Sequence, residues 1–356
     1  MQGKIPATVV TGFLGAGKTT LIRHLIENAN GRRIALIINE FGDLGVDGEI
    51  IKGCGIEGCA EDDIVELSNG CICCTVAEDF IPAMEKLIAQ VPAPDHIVIE
   101  TSGLALPQPL VRAFNWPEVR SKVTVDGVVA VVDGPAYGDG QFAADPVAVD
   151  VQRGADDNLD HETPLSELFE DQIGCADMII VNKADVLGDA AGAMRDRLSS
   201  QARNGVSVLT ASHGQIAPSV LLGMGIGAED DLSARHEVHH HHHHHDDEHE
   251  HDHDHSHEHG HDEFESFVVD LPELPDRDRF LSALDTLIRT HDVLRLKGFA
   301  SLSGKPMRLV VQAVGPRIES YFDRPAGAER ASRMVVIGQA GLDRIGIEAA
   351  LKAAAA

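Results

Sequence analysis

The sequence predicts an α/β domain built on a mostly parallel sheet, followed by a smaller α+β domain with an antiparallel sheet. Three observations carry this. Over residues 1–225, apolar runs of strand length alternate with amphipathic stretches of helical period. A glycine-rich segment, Gly12-Phe-Leu-Gly-Ala-Gly-Lys18-Thr19, joins the first strand run to the first helical one. Beyond a His/Asp/Glu tract the pattern changes to alternating strands with few helices.

In order, Ile5 to Thr11 reads as a buried strand, Lys18 to Asn28 as a helix and Ile34 to Asn39 as a second strand. Further strands are expected at Ile64 to Leu67, His96 to Ile99, Val128 to Val132, Met178 to Val181 and Val206 to Leu209, with helices between them. Residues 226–263 are expected to be a disordered linker. Its segment 236–263 holds 15 of the 20 histidines, ten acidic residues and one aliphatic side chain, Val238, too little apolar surface to offset the entropy of ordering. Residues 264–356 then read as strand (Phe264 to Leu271), helix (Asp276 to Thr290), three strands (Val293 to Phe299, Arg308 to Val314, Arg333 to Gly338) and a final helix (Leu342 to Ala354).

Across 356 residues, 57 Asp plus Glu stand against 29 Lys plus Arg, a net charge of −28. The His-rich tract holds ten of these acids and no Lys or Arg, so the remaining chain carries −18. No cluster of basic residues suited to a phosphate backbone occurs, which argues against nucleic-acid binding. No apolar run is long enough to span a bilayer, and the N-terminus lacks a secretory pattern, so a cytoplasmic protein is expected. Of six cysteines, five fall between Cys54 and Cys74, a clustering that in a reducing compartment points to metal or redox chemistry. The sixth, Cys175, reads as a small buried residue.

The Gly12–Thr19 segment fits G-x-x-x-x-G-K-[ST]. Glycines such as Gly12, Gly15 and Gly17, with Ala16 between, let backbone N–H groups curl around a β-phosphate. Lys18 would neutralise β and γ oxygens, Thr19 would offer its hydroxyl to Mg²⁺, and Thr20 continues the helix N-terminus. The bland alternative is an ordinary strand-to-helix turn.

Asn182-Lys183-Ala184-Asp185 follows a strand and reads as a base-recognition element. The Asp185 carboxylate can accept from guanine N1–H and its exocyclic amine; adenine offers neither pairing, so GTP is the expected nucleotide. Thr210-Ala-Ser212-His213 lies where a second base-contacting loop is expected. His96-Ile-Val-Ile-Glu100 is an apolar strand ending in a carboxylate, with Gly103 three residues on. Glu100 could reach Mg²⁺ through water or orient the attacking water, and the Gly103 N–H could sense the γ-phosphate; alone, the segment could equally be a strand and a helix cap.

Cys71-Ile-Cys73-Cys74 supplies three thiolates for one borderline ion, one ligand short of a tetrahedron; Glu40, Asp43 or a partner's side chain could complete it. Cys54 and Cys59 could form a second site or an entry relay, or be structural. The alternating His and acidic residues suit transient capture of divalent ions; the bland reading, an expression tag, fits poorly with an internal tract.

Taken together, GFLGAGKTT (12–20), NEFGDLGVDG (39–48), NGCICCTV (69–76), IETSGLA (99–105) and NKAD (182–185) resemble the CobW-type metallochaperone GTPases, which are P-loop proteins. The resemblance covers almost the whole chain. It implies that Gly15, Gly17, Lys18, Thr19 and Thr20 form the phosphate and Mg²⁺ loop, Glu100 the Walker B acid and Asn182, Lys183 and Asp185 the guanine motif, with Cys71, Cys73 and Cys74 as metal ligands. It further implies GTP hydrolysis coupled to delivery of a divalent ion, Co²⁺ first, to a cobaltochelatase of aerobic cobalamin synthesis. Delivery of Zn²⁺, activation of another client metalloenzyme, and metal storage with regulatory GTP binding stay open as alternatives.

Overall fold

The structure, a computed structural model, describes residues 4–39, 64–67, 80–155, 164–230, 232, 264–326 and 330–355. It divides into two compact units, residues 1–236 and 237–356.

The first unit is a seven-stranded parallel sheet. In chain order its strands are β1 (Ile5–Thr11), β2 (Ile34–Asn39), β3 (Ile64–Leu67), β4 (His96–Glu100), β5 (Val123–Asp133), β6 (Met178–Asn182) and β7 (Ser207–Thr210), in spatial order β3-β2-β4-β1-β5-β6-β7. Successive residues of a strand face opposite sides, and β4 and β6 are buried along their whole length, so both faces of the sheet are covered. Helix α1 (Lys18–Glu27) buries Lys18, Leu21, Ile22, Leu25 and Ile26, a stripe at i, i+3, i+4, i+7 and i+8 that holds it to the sheet. Cys175, at the end of helix α2 (Leu165–Cys175), is fully buried.

Strand β5 extends five residues further back than the apolar pattern indicates. Asp126 looks like a strand breaker, yet it is 1% exposed because its carboxylate accepts the Gly223 and Gly225 N–H groups at 2.6 and 2.7 Å. The same clasp reaches residues expected to lie in the linker. The Ile226 N–H donates to the Asp126 carbonyl, and buried Glu229 accepts from Thr124 Oγ1 at 2.6 Å and the Val125 N–H at 2.8 Å. Residues 226–230 are therefore packed on the first unit instead of belonging to a linker that starts at 226.

The second unit is a five-stranded antiparallel sheet of β8 (Phe264–Leu271), β9 (Arg295–Ala300), β10 (Met307–Val314), β11 (Arg317–Pro325) and β12 (Ser332–Gln339), ordered β11-β10-β9-β12-β8. Helices α3 (Arg277–Thr290) and α4 (Arg344–Ala354) pack against each other and share a core with the sheet that includes Phe267, Phe280, Leu284, Leu309, Met334 and Leu351. Strand β11 is absent from the sequence reading. Its residues are exposed or half-exposed throughout, so it lacks the apolar alternation that marks a strand with one buried face.

Candidate functional site

The segment Gly12–Thr19 turns tightly between β1 and α1. Gly12 has φ +137° and a Cβ there would lie 2.1 Å from the Val131 carbonyl oxygen; Gly17 has φ +100° and a Cβ would lie 2.2 Å from Asn182 Nδ2. Both positions therefore require glycine. Gly17 is also the N-cap of α1 and, lacking a side chain, leaves the first-turn N–H groups of the helix to be met by another acceptor. Lys18 is buried; its Nζ donates to the Gly12 carbonyl at 2.8 Å and the Phe13 carbonyl at 3.3 Å, which folds the ammonium over the loop.

Glu100 and Asn182 lie at the same edge of the sheet, the carboxyl ends of the strands, because register places Glu100 beside Val10 and Asn182 beside Asp133. Thr19 Oγ1 donates to Glu100 Oε1 at 3.1 Å. A hydroxyl and a carboxylate side by side are hard oxygen donors of the kind Mg²⁺ takes together with water, so the residues present fit that ion. Gly103 is packed so closely on the loop that a Cβ would lie 2.7 Å from the Leu14 nitrogen. Thr101 Oγ1 donates to Thr11 Oγ1 at 3.1 Å, tying the segment after β4 to the end of β1.

Asn182 does more than its place in a base-recognition motif indicates. Its Nδ2 donates to the Ala16 carbonyl at 2.8 Å and its Oδ1 accepts the Gly214 N–H at 3.0 Å. One buried amide thus joins the glycine loop, β6 and the loop after β7. Lys183 sits in the left-handed region at φ +61°, and its Nζ donates to Asp133 Oδ2 at 2.6 Å. Asp185 is more than a third exposed and lies 3.6 Å from His213 Nε2, so the motif after β6 and the segment Thr210–His213 meet.

Asp133 was not among the sequence candidates. It is 1% exposed, accepts the Ala136 N–H and neutralises Lys183. The signal was present in Val131-Val132-Asp133-Gly134, a carboxylate ending a buried strand just as Glu100 ends β4.

Cys71, Cys73, Cys74, Glu40, Asp43, Cys54, Cys59 and the 236–263 tract all lie outside the described residues. Among the described residues there is no group of three or more His, Cys, Asp or Glu that could hold a metal ion, and no helix is long and apolar enough to cross a membrane.

With Thr19 set against Glu100 and Asn182 bracing the glycine loop from two strands away, the first unit has the P-loop GTPase fold. The chain belongs to the CobW/HypB/UreG family: the nucleotide-binding domain of that family matches residues 6–209, and the cobalamin synthesis protein cobW C-terminal domain matches residues 264–355. Similar proteins include one from Sinorhizobium sp named zinc chaperone CobW, 57% identical over 99% of this chain and 98% of its own. Another of that name, from Pseudomonas aeruginosa, is 52% identical over 99% of this chain and 92% of its own. Zinc chaperone YjiA of Escherichia coli is 31% identical over 94% of each.

Proposed function

We propose that the chain is a GTP-hydrolysing metallochaperone that takes up one divalent ion in its Mg·GTP state and gives it to a client protein after hydrolysis. The observation that carries the nucleotide half is the convergence of the loop, Glu100 and the Asn182–Asp185 motif on one sheet edge. Backbone N–H groups at the start of α1 and the Lys18 ammonium would hold the phosphates, and Asp185 would select guanine. Bound Mg²⁺, held by Thr19 and through water by Glu100, would supply charge neutralisation at the β and γ oxygens. Glu100 would also orient water towards the γ-phosphate.

The cargo half rests on Cys71, Cys73 and Cys74, which occupy the stretch between β2 and β4 that responds to the γ-phosphate in GTPases of this fold. Ordering of that stretch by GTP would assemble the thiolate site, and loss of the γ-phosphate would dismantle it. Three thiolates favour Zn²⁺ over Co²⁺, and the names of the relatives reported above support zinc as the first candidate. Cobalt, with a cobaltochelatase as client, is the second. Absorption of Co²⁺ titrated into the full chain with Mg²⁺ and a GTP analogue tests the ligands. Thiolate charge-transfer and tetrahedral ligand-field bands are expected, both lost in Cys73→Ser; bands that survive that substitution would overturn the assignment.

A further inference from the structure

Helix α2 buries one amide among apolar side chains. Leu168, Phe169, Ile173 and Cys175 line its inner face, and Gln172 stands in the same stripe at 1% exposure. A buried amide is costly unless its hydrogens find acceptors. Here both do: Gln172 Nε2 donates to the Gly103 carbonyl at 3.2 Å and to the Ala105 carbonyl at 3.2 Å. One side chain thus holds two buried carbonyls of the segment that follows Glu100.

That segment is anchored elsewhere as well. The Thr101 N–H donates to the Val10 carbonyl at 3.0 Å, and the Ala105 N–H closes a turn on the Ser102 carbonyl at 3.1 Å. Between them Gly103 lies against the glycine loop, where a Cβ would come within 2.7 Å of the Leu14 nitrogen. Leu104 shares a core with Phe13 of the loop and with Phe169 and Ile173 of α2. The Phe13 and Phe169 ring centroids are 6.1 Å apart. Helix α2 therefore meets the glycine loop through Phe169 and the segment after β4 through Gln172.

The close approach to Leu14 requires glycine at 103, and glycine has the widest backbone freedom of any residue. Its peptide groups are therefore directed from outside. Hydrogen bonds to its own carbonyl and to the carbonyl two residues on do this directly. Leucine or methionine at 172 would fill much of the same space and donate nothing, and an ionised glutamate would set a carboxylate against two carbonyl oxygens. What the position needs from glutamine is its two N–H groups.

In the GTPase reading, on which this inference rests, the Gly103 N–H meets the γ-phosphate, a contact that GDP does not offer. We propose that Gln172 is a positioning residue for this contact. It holds Gly103 with its N–H directed to the γ-phosphate before nucleotide arrives, which lowers the ordering cost of binding GTP and leaves GDP binding alone.

The test compares affinities of the full chain, with Mg²⁺, for a fluorescent GDP and for a non-hydrolysable GTP analogue. Gln172→Met is expected to weaken the analogue about tenfold or more and GDP less than about twofold. Gln172→Glu, which keeps the shape of the side chain, is expected to weaken the analogue at least as much and serves equally if Gln172→Met does not fold. Ile173→Val, which loosens the same helix without touching a hydrogen bond, is expected to lower the melting temperature and leave the ratio of the two affinities unchanged. A native ratio in both Gln172 variants would overturn the proposal. So would an equal loss for both nucleotides, tighter binding of the analogue, or a shift of the ratio by Ile173→Val as large as that of Gln172→Met. A native chain that bound neither nucleotide would instead remove the GTPase reading, and this proposal with it.

Discussion

Asn182→Asp is the sharpest perturbation of the nucleotide site, because it changes one atom of a buried side chain. In the native chain Nδ2 donates to the Ala16 carbonyl at 2.8 Å while Oδ1 accepts from the Gly214 N–H at 3.0 Å. Aspartate keeps the second contact and replaces the first with two oxygens facing each other. Losing the hydrogen bond costs about 1 kcal/mol, and leaving the carbonyl and new carboxylate without a donor adds about 1–3 kcal/mol, so the total is about 2–4 kcal/mol. If the free loop relaxes away from residue 182, that cost falls on nucleotide binding, and affinity for a fluescent GDP analogue drops about 30- to 700-fold. If the loop does not relax, the cost instead lowers the melting temperature of the first unit. Protonation restores a donor at that oxygen, so the defect should be smaller at pH 5 than at pH 8. A variant with native GDP affinity and native melting temperature at pH 8 would refute the bracing role of Asn182.

Three further outcomes follow from the same geometry. Gly17→Ala, with its Cβ forced to within 2.2 Å of Asn182 Nδ2 at φ +100°, is expected to weaken GDP binding about 100-fold without changing the far-ultraviolet circular dichroism. Asp133→Asn keeps the acceptor for the Ala136 N–H but removes the charge facing Lys183, so a double-mutant cycle with Lys183→Ala should give a coupling of about 1 kcal/mol in GDP binding; strict additivity would separate Asp133 from the site. In the second unit, the hydrogen bonds from Arg308 hold Asp323 below the usual carboxylate range. Its lowered value means that the unfolded chain takes up the proton first, so the stability it lends is full above about pH 4 and is lost as pH falls through the folded value. The difference in melting temperature between native protein and Asp323→Asn should therefore shrink on acidification below about pH 4, and a difference that grows would contradict the pairing.

The parallel sheet and its glycine loop were legible in the sequence because strands buried on both faces read as continuous apolar runs, as in Ile97-Val98-Ile99 and Ile179-Ile180-Val181. What escaped was polar. Asp126 and Glu229 look like surface residues and are buried, because Gly223, Gly225, Thr124 and the Val125 N–H satisfy them from distant positions in the chain. Asp133 escaped for the same reason, its partner Lys183 lying fifty residues away. Strand β11 was hidden by its exposure on both faces. The glycine loop, Glu100 and Asn182–Asp185 are each contiguous and could be read locally, whereas the way Asn182 joins two loops needs coordinates.

In the proposed cycle nucleotide state governs metal affinity. Linkage makes it measurable from either side, since GTP can tighten metal binding only by the factor by which metal tightens GTP. The direct measurement is Zn²⁺ affinity of the full chain by competition with a chromophoric chelator, once with Mg²⁺ and a GTP analogue and once with Mg·GDP. Binding is expected to be tighter with the analogue by about tenfold or more, with the difference abolished in Cys73→Ser. Equal Zn²⁺ affinity in the two nucleotide states would contradict it.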